Sequence, residues 1–294
     1  MDSEGLREFQ AHRPRLFALA YRMLGSASEA EDAVQEVWLR WDGTDRAFIR
    51  SAEAWLTTAV VNLCRTWLVS ARARRESYVG PWLPEPVPTA RGELGPLETV
   101  EEREQVSLAL LTALERLSAV ERAVFVLREA FGYAHREIAD MLDISESLSQ
   151  QTYRRAGQRV RADRPRFEVD TARAGVLIER FLNAARTGEL AALERMLTAD
   201  VTAVADGGGR VNAARKPVVG AVKVSRYLAG LFRFLDDTMT VSTVEVNGVP
   251  AVVIRQAGAA LAVIAVEFED GAVAAVRLLV NPDKLTRLEA TESV

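Results

Sequence analysis

The stretch His135-Arg136-Glu137-Ile138-Ala139-Asp140-Met141-Leu142-Asp143-Ile144-Ser145-Glu146, running on into Tyr153-Arg154-Arg155-Ala156, decides how this chain reads. Ile138, Ala139 and Leu142 recur at helical spacing and make one apolar face. Asp143-Ile144-Ser145 breaks that helix. Ser145 can then N-cap the next one by accepting a hydrogen bond from a free backbone N–H. The second helix carries Gln150, Gln151, Arg154, Arg155 and Arg159 on its polar sides. A helix-turn-helix of this kind lays its second helix in the DNA major groove, with the N-terminal residues at the base edges. Ser145, Glu146, Gln150, Gln151, Arg154, Arg155 and Arg159 are therefore the expected DNA contacts. Arginines neutralise phosphates and release counterions, and glutamine amides pair with adenine edges.

The rest of the chain says in what capacity DNA is read. Its 294 residues allow two or three domains. An apolar fraction of 49% with 27% charged residues is ordinary for soluble globular protein. The single cysteine, Cys64, excludes an internal disulfide framework and fits a reducing cytoplasm. With only two histidines beside it, no metal site is expected, and no cofactor. The acidic start Met1-Asp2-Ser3-Glu4 lacks the pattern of a signal peptide. No apolar run approaches the roughly 20 residues that span a bilayer. The longest, 257–266, reads better as a buried strand. Net charge is −4, which argues against a wholly basic nucleic-acid coat but not against local patches. One patch is Arg65, Arg72, Arg74 and Arg75. The other is Arg154, Arg155, Arg159, Arg161, Arg164 and Arg166, with an acidic stretch at 93–104 between the two.

Residues 7–75 read as three helices. Leu16, Leu19, Ala20, Met23 and Leu24 form one apolar face, ended by Gly25, a natural C-cap. Ser26 or Ser28 opens the second helix, with Glu29, Glu31 and Asp32 where the helix dipole favours acids. The third starts near Ser51 and carries Trp55, Leu56, Ala59, Val60, Leu63 and Trp67. Trp55 and Trp67 read first as core. Residues 78–96 hold five of the ten prolines and no helical period, and read as a semi-rigid linker. Trp82 in that linker is either a solvent-facing turn residue or an aromatic that docks on a neighbouring domain. Residues 99–166 are helical again.

From Thr171 the pattern changes class. Helices are expected over 176–185, 190–197 and 222–235, and a strand over 200–205. Strand-like runs at 239–246, 251–256, 261–269 and 272–280 are separated by Asn247-Gly248, Gly258 and Asp270-Gly271. Asn-Gly and Asp-Gly are hairpin signals because both residues tolerate positive φ. Helices followed by an antiparallel sheet make an α+β domain. Gly207-Gly208-Gly209 lacks the frame of a nucleotide-binding loop. It reads as a wide turn, a contact loop or a lid.

The two helical blocks resemble the extracytoplasmic-function group of bacterial sigma factors over roughly residues 5–165. Glu31-Asp32-Ala33-Val34-Gln35-Glu36-Val37-Trp38-Leu39-Arg40 resembles the region that binds the clamp of the RNA polymerase core. Trp55-Leu56-Thr57-Thr58-Ala59-Val60-Val61-Asn62-Leu63 with the arginines to Arg75 resembles the promoter-melting and minus-ten region, and the opening motif the minus-thirty-five reader. Trp82-Leu83-Pro84-Glu85-Pro86, Asp206-Gly207-Gly208-Gly209-Arg210 and Asn281-Pro282-Asp283-Lys284-Leu285 resemble the subgroup with a fused SnoaL-like domain of the NTF2-like fold.

The resemblance implies two all-α sigma modules followed by an α+β cone-shaped NTF2-like domain. The boundaries would be 1–78, a linker over 79–98, 99–166 with the helix-turn-helix, and 171–294. It implies a cytoplasmic sigma factor whose partners are promoter DNA and the polymerase core, at the beta-prime clamp and the beta flap, with no membrane. Asn62, Arg65, Arg72, Arg74 and Arg75 would hold DNA near the melted strand. Asp32, Gln35, Glu36, Trp38 and Arg40 would face polymerase. Trp82, Asp206 to Arg210 (with Gly207, Gly208 and Gly209) and Asn281, Pro282, Asp283, Lys284 and Leu285 would make regulatory interdomain contacts. A small ligand in the C-terminal domain is a further expectation, without an identity. The competing reading is an isomerase- or cyclase-like enzyme in that domain, with Asp206 and Asp236 as the obvious acids or bases.

Overall fold

The computed structural model of the chain describes residues 3–92, 94, 100–163 and 171–288. It divides into two compact units. One is Met1–Glu76 with Arg91–Arg164, and the other is Ser77–Ala90 with Pro165–Val294. Arg164 and Arg166 lie outside the described residues.

The first unit is helical: α1 (Ser3–Leu24), α2 (Ala27–Asp42), α3 (Ala52–Glu76), α4 (Val100–Glu104), α5 (Leu108–Leu114), α6 (Ala119–Glu129), α7 (His135–Leu142) and α8 (Glu146–Asp163). Gly25 ends α1 at φ 69° and donates to the Tyr21 carbonyl at 2.7 Å. Ser26 caps α2 by accepting from the Glu29 amide. Leu16, Leu19, Ala20, Met23 and Leu24 are all buried, as is the α2 stripe Val34, Val37 and Trp41. Trp41 adds a hydrogen bond from its indole to the Gly5 carbonyl and a tilted contact with Trp55. Trp55 and Trp67 are half-buried. Burial of one such aromatic contributes on the order of 2 kcal/mol.

The helix-turn-helix has local causes. Asp143 takes the left-handed conformation at φ 54° and stops α7, an excursion that short polar residues tolerate. Ser145 then accepts from the Leu148 amide at 3.2 Å and starts α8. Ile138, Ala139 and Leu142 turn inward.

The second unit contains α9 (Thr171–Thr187), α10 (Leu190–Arg195), β1 (Leu197–Asp206), β2 (Val218–Val219), α11 (Ala221–Phe232), β3 (Met239–Val246), β4 (Val249–Gln256), β5 (Ala259–Glu269) and β6 (Ala272–Leu279). The strands form one sheet in the order β2-β1-β6-β5-β4-β3. The three hairpin turns carry consecutive positive-φ residues: Asn247 and Gly248, Ala257 and Gly258, Asp270 and Gly271. The sheet is not antiparallel throughout, as the run of hairpins suggests. β1 pairs parallel with β6, and the two-residue β2 adds an edge that the sequence does not announce. A hairpin is written in its turn, whereas the partner of β1 lies far along the chain and leaves no local mark.

One sheet face, with Val201, Ala203, Val252, Ile254, Ile264, Val266, Val276 and Leu278, packs against Ile178, Phe181, Val224 and Leu228 of the helices. Alternate residues Val253, Val263, Ala265 and Leu279 face the other way and are buried too. Burial on both faces explains why β4 and β5 read as nearly continuous apolar runs. On that second face Arg255 donates to the Leu288 carbonyl, which draws the C-terminal turns over it.

The proline-rich segment belongs to this unit and does not run as an isolated linker. Leu83 and Val87 are buried. The Val87 amide donates to the Asn247 side chain and its carbonyl accepts from the Asn247 amide, both at 2.9 Å. Gly248 donates to the Thr89 hydroxyl at 2.9 Å. The segment thus hangs on the β3–β4 turn.

Candidate nucleic-acid interface and linker clamp

On α8 the side chains of Glu146, Gln150, Gln151, Arg154, Arg155 and Arg159 are all exposed, as is Ser145 at its cap. Ser147, Leu148, Gln150, Gln151 and Arg154 line a shallow hollow on its N-terminal half. No hydrogen bond or ion pair to Gln151, Arg154 or Arg155 occurs among the described residues, so their donors are available to a ligand. Arg159 differs: its guanidinium grips both carboxylate oxygens of Glu121, at 2.7 and 2.8 Å. The angle of α8 is set from behind. His135 Nδ1 meets the buried Ser149 hydroxyl at 3.0 Å, and its ring lies edge-on to Tyr153.

The candidate melting residues lie on α3, and the structure brings them to the helix-turn-helix. Asn62 donates to the Met141 carbonyl at 3.3 Å. Arg65 donates to the Leu142 carbonyl at 3.4 Å and to the Asn62 side chain at 3.0 Å. Arg75 binds Glu115 and the Leu24 carbonyl. The side chains of Arg72 and Arg74 lie outside the described residues. The two helical modules therefore pack face to face within one unit, while the polar side of α8 stays open.

Arg122 on α6 sits in the middle of that packing, 1% exposed. It donates to the Arg22 carbonyl at 3.1 Å and to Glu115. Burial lowers its pKa to about 9, still charged at neutral pH. Around the rim, Arg15 donates to the Tyr133 hydroxyl at 3.1 Å, which lies 3.4 Å from the Thr57 hydroxyl. Arg15 and Arg22 both stand over the Phe131 ring. Sequence reading passed over Glu115, Arg122 and Tyr133. A lone arginine beside Ala123 and Val124 in the apolar stripe of α6 was the available signal.

On α2, Asp32, Gln35 and Arg40 are exposed, and Glu36 and Trp38 half-buried. Trp38 packs on Phe9 at 5.0 Å between ring centroids. Arg40 pairs with Glu36 one turn away at 3.2 Å. Leu39 beside them is 59% exposed. A mixed-charge surface around an exposed leucine has the make-up of a protein interface.

The three C-terminal motifs converge inside the α+β unit. Asp206, at the end of β1, is fully buried. It accepts from the Tyr78 hydroxyl at 2.6 Å, the Leu83 amide at 2.8 Å, the Gly208 amide at 3.1 Å and Lys284 Nζ at 2.7 Å. Lys284 also donates to the Leu83 carbonyl and stands 4.1 Å from the centre of the Trp82 ring. Trp82 is thus docked and half-buried. Asn281 donates to the Tyr78 hydroxyl at 2.9 Å and, like Leu285, is buried. Burial and the bond to Asp206 push the Tyr78 phenol above its ordinary pKa, so it stays a donor. The glycines are forced by crowding. At Gly208 (φ 58°) a Cβ would fall 2.3 Å from Asn281 Nδ2, and at Gly209 (φ 72°) 3.2 Å from Val79. Gly207 is equally tight, against the Val211 carbonyl. Pro282 starts a short turn in which Asp283 meets Arg210 at 3.3 Å.

Comparison with known proteins gives this arrangement a context. Residues 9–74 match the Sigma-70 region 2 family, and residues 107–160 the Sigma-70, region 4 family. The chain is 36% identical over 290 residues to the ECF RNA polymerase sigma factor SigJ of Mycobacterium tuberculosis, covering 95% of this chain and 92% of that protein. It is 32% identical over 285 residues to the probable ECF RNA polymerase sigma factor SigI of the same species, covering 96% and 95%. The crystal structure of SigJ superposes with a TM-score of 0.71 at 31% identity, over 96% of this chain and 98% of that one. Both sigma regions and the α+β tail thus lie within one continuous likeness, and the chain belongs to the ECF RNA polymerase sigma factors, which direct the polymerase to promoters.

Proposed function

We propose that this sigma factor is regulated in cis by its α+β unit, acting through the proline-rich segment. Asp206 carries the argument. Its carboxylate collects the Tyr78 hydroxyl, the Leu83 amide and the Lys284 ammonium, so the segment that joins the two sigma modules is anchored to the C-terminal unit. Freeing that segment changes how the modules can be presented to a promoter. In this reading α8 takes the minus-thirty-five element through Gln150, Gln151, Arg154 and Arg155. Asn62 and Arg65, with Arg72 and Arg74, serve the melted minus-ten strand. The α2 face with Leu39 docks on the beta-prime clamp, the helix-turn-helix module docks on the beta flap, and the protein works in the cytoplasm.

A non-enzymatic role for the α+β unit follows from the same geometry. Asp206 is saturated with donors, and Asp236 is turned onto the Thr238 amide and hydroxyl. Neither is poised to move a substrate proton. The test is transcription with core polymerase on genomic DNA, comparing intact protein, a chain ending before Thr171 and the Lys284→Met variant. A change of threefold or more in specific transcript supports regulation through the clamp, and equal yields from all three reject it. A failure to bind core polymerase would reject the docking assignments.

A further inference from the structure

We propose that the helix-turn-helix module acts as a reversible lock on the melting face, its α7 C-terminus occupying the donors that a single DNA strand would use. The inference rests on the assignment of Asn62 and Arg65 to the melted strand. The occupying atoms are suited to the role. The last four carbonyls of a helix lack intrahelical partners and carry its partial negative charge. Met141 and Leu142 are the last residues of α7, and their carbonyls accept from Asn62 and Arg65. To an amide and a guanidinium, such oxygens offer what base-edge and phosphate oxygens offer. One set of donors therefore faces two mutually exclusive acceptors, one inside the molecule and one on DNA.

The packing is graded in a way that permits release. Its inner half is buried around Arg122, with Glu115 bridging to Arg75. Its outer half is half-buried and held by long hydrogen bonds, 3.3 and 3.4 Å, and by the Tyr133 hydroxyl between Arg15 and Thr57. A strand competing for Asn62 and Arg65 meets only the outer half. The lock thus explains how the chain can fold with its melting residues unavailable and still release them to a strand.

The test uses the full chain with added cysteines at Glu53 and Asp140 carrying a fluorophore pair, Cys64 being fully buried and out of reach of the dyes. The probe strand is a labelled twelve-nucleotide oligo-dT. Saturating probe should lower energy transfer between the labels in the otherwise wild-type chain. Tyr133→Ala should bind the probe at least fivefold tighter, Tyr133→Phe less so. Adding Asn62→Ala and Arg65→Ala to Tyr133→Ala should cancel the gain. Saturation without a change in energy transfer overturns the lock, and so does a Tyr133→Ala chain with wild-type affinity. A gain that survives loss of Asn62 and Arg65 instead overturns their assignment to the strand, and the lock with it, although the opening itself would then stand as observed.

Discussion

Asp206 and Asn62 each tie together segments far apart in the sequence, by opposite means. At Asp206 a full charge pair is buried, and every donor within reach is used: Tyr78, Leu83, Gly208 and Lys284. At Asn62 and Arg65 the partners are neutral backbone carbonyls at 3.3 and 3.4 Å, in a half-buried rim. Breaking a buried ion pair by removing one member costs about 3–5 kcal/mol, because the survivor is left charged and dry. A half-exposed hydrogen bond contributes only about 0.5–1.5 kcal/mol net. The difference separates an anchor from a switch. The proline-rich segment is fixed to the α+β unit, and the two sigma modules are held together at a strength that binding can overcome.

The largest effect expected is at the anchor. Asp206→Ala leaves the Lys284 ammonium, 9% exposed, with only the Leu83 carbonyl and two aromatic faces. It should cost the α+β unit about 3–5 kcal/mol in denaturant unfolding. Adding Lys284→Met should restore part of that, since the orphaned charge goes with it. A single variant as stable as wild type would show that the charge pair is no anchor, and the contrast with the rim would vanish.

Next comes the inner half of the sigma packing, which belongs in kind with the anchor. Glu115 holds Arg122 with one oxygen and Arg75 with the other. Glu115→Ala leaves the buried Arg122 guanidinium with the Arg22 carbonyl as its remaining hydrogen-bond acceptor. Because Glu115 keeps 17% of its own side-chain surface in water, the loss should be about 2 kcal/mol, below that at Asp206. Thermal unfolding of the helical unit measures it. A loss no larger than that of Tyr133→Phe, about 1 kcal/mol or less, would erase the gradation between inner and outer halves.

What could be read beforehand follows the same division between local and distant causes. Gly25, Ser26, Asp143 and Ser145 act on their immediate neighbours, and each sits at the helix end that its residue type calls for. The hairpin glycines likewise stand where the turns are. The three C-terminal motifs could be singled out, and Lys284 against the proline-rich segment was among the contacts considered. That Asp206 is their centre could not be read, because a carboxylate at a strand end suits water as well as four donors. Leu83 and Val87 gave a faint sign, being apolar in an otherwise proline-rich run. Asn62 and Arg65 gave none: their donors suit a helix end and a DNA strand alike, and no sequence rule chooses between them.

The smallest effect lies inside the helix-turn-helix and tests whether its internal contacts are firmer than the rim that docks it. His135, one of only two histidines, touches Ser149 with Nδ1 and Tyr153 with its ring edge. Burial holds its pKa below the ordinary 6.5, Arg128 and Arg154 push the same way, and Glu146 opposes them. The folded state thus disfavours the imidazolium, and the unfolded chain binds the proton more readily. Stability from this site is complete above the unfolded value near 6.5 and is lost as pH falls towards the lower folded value. Between pH 7.5 and 5.5 the helical unit should therefore lose more stability in wild type than in His135→Gln, in which that titration is absent. If this loss comes with no change in energy transfer across the α3–α7 rim, protonation loosens the module internally while its docking stays intact. Equal pH slopes for wild type and His135→Gln would instead mean that the imidazole is no better solvated unfolded than folded, and that the His135–Ser149 contact contributes nothing to the angle of α8.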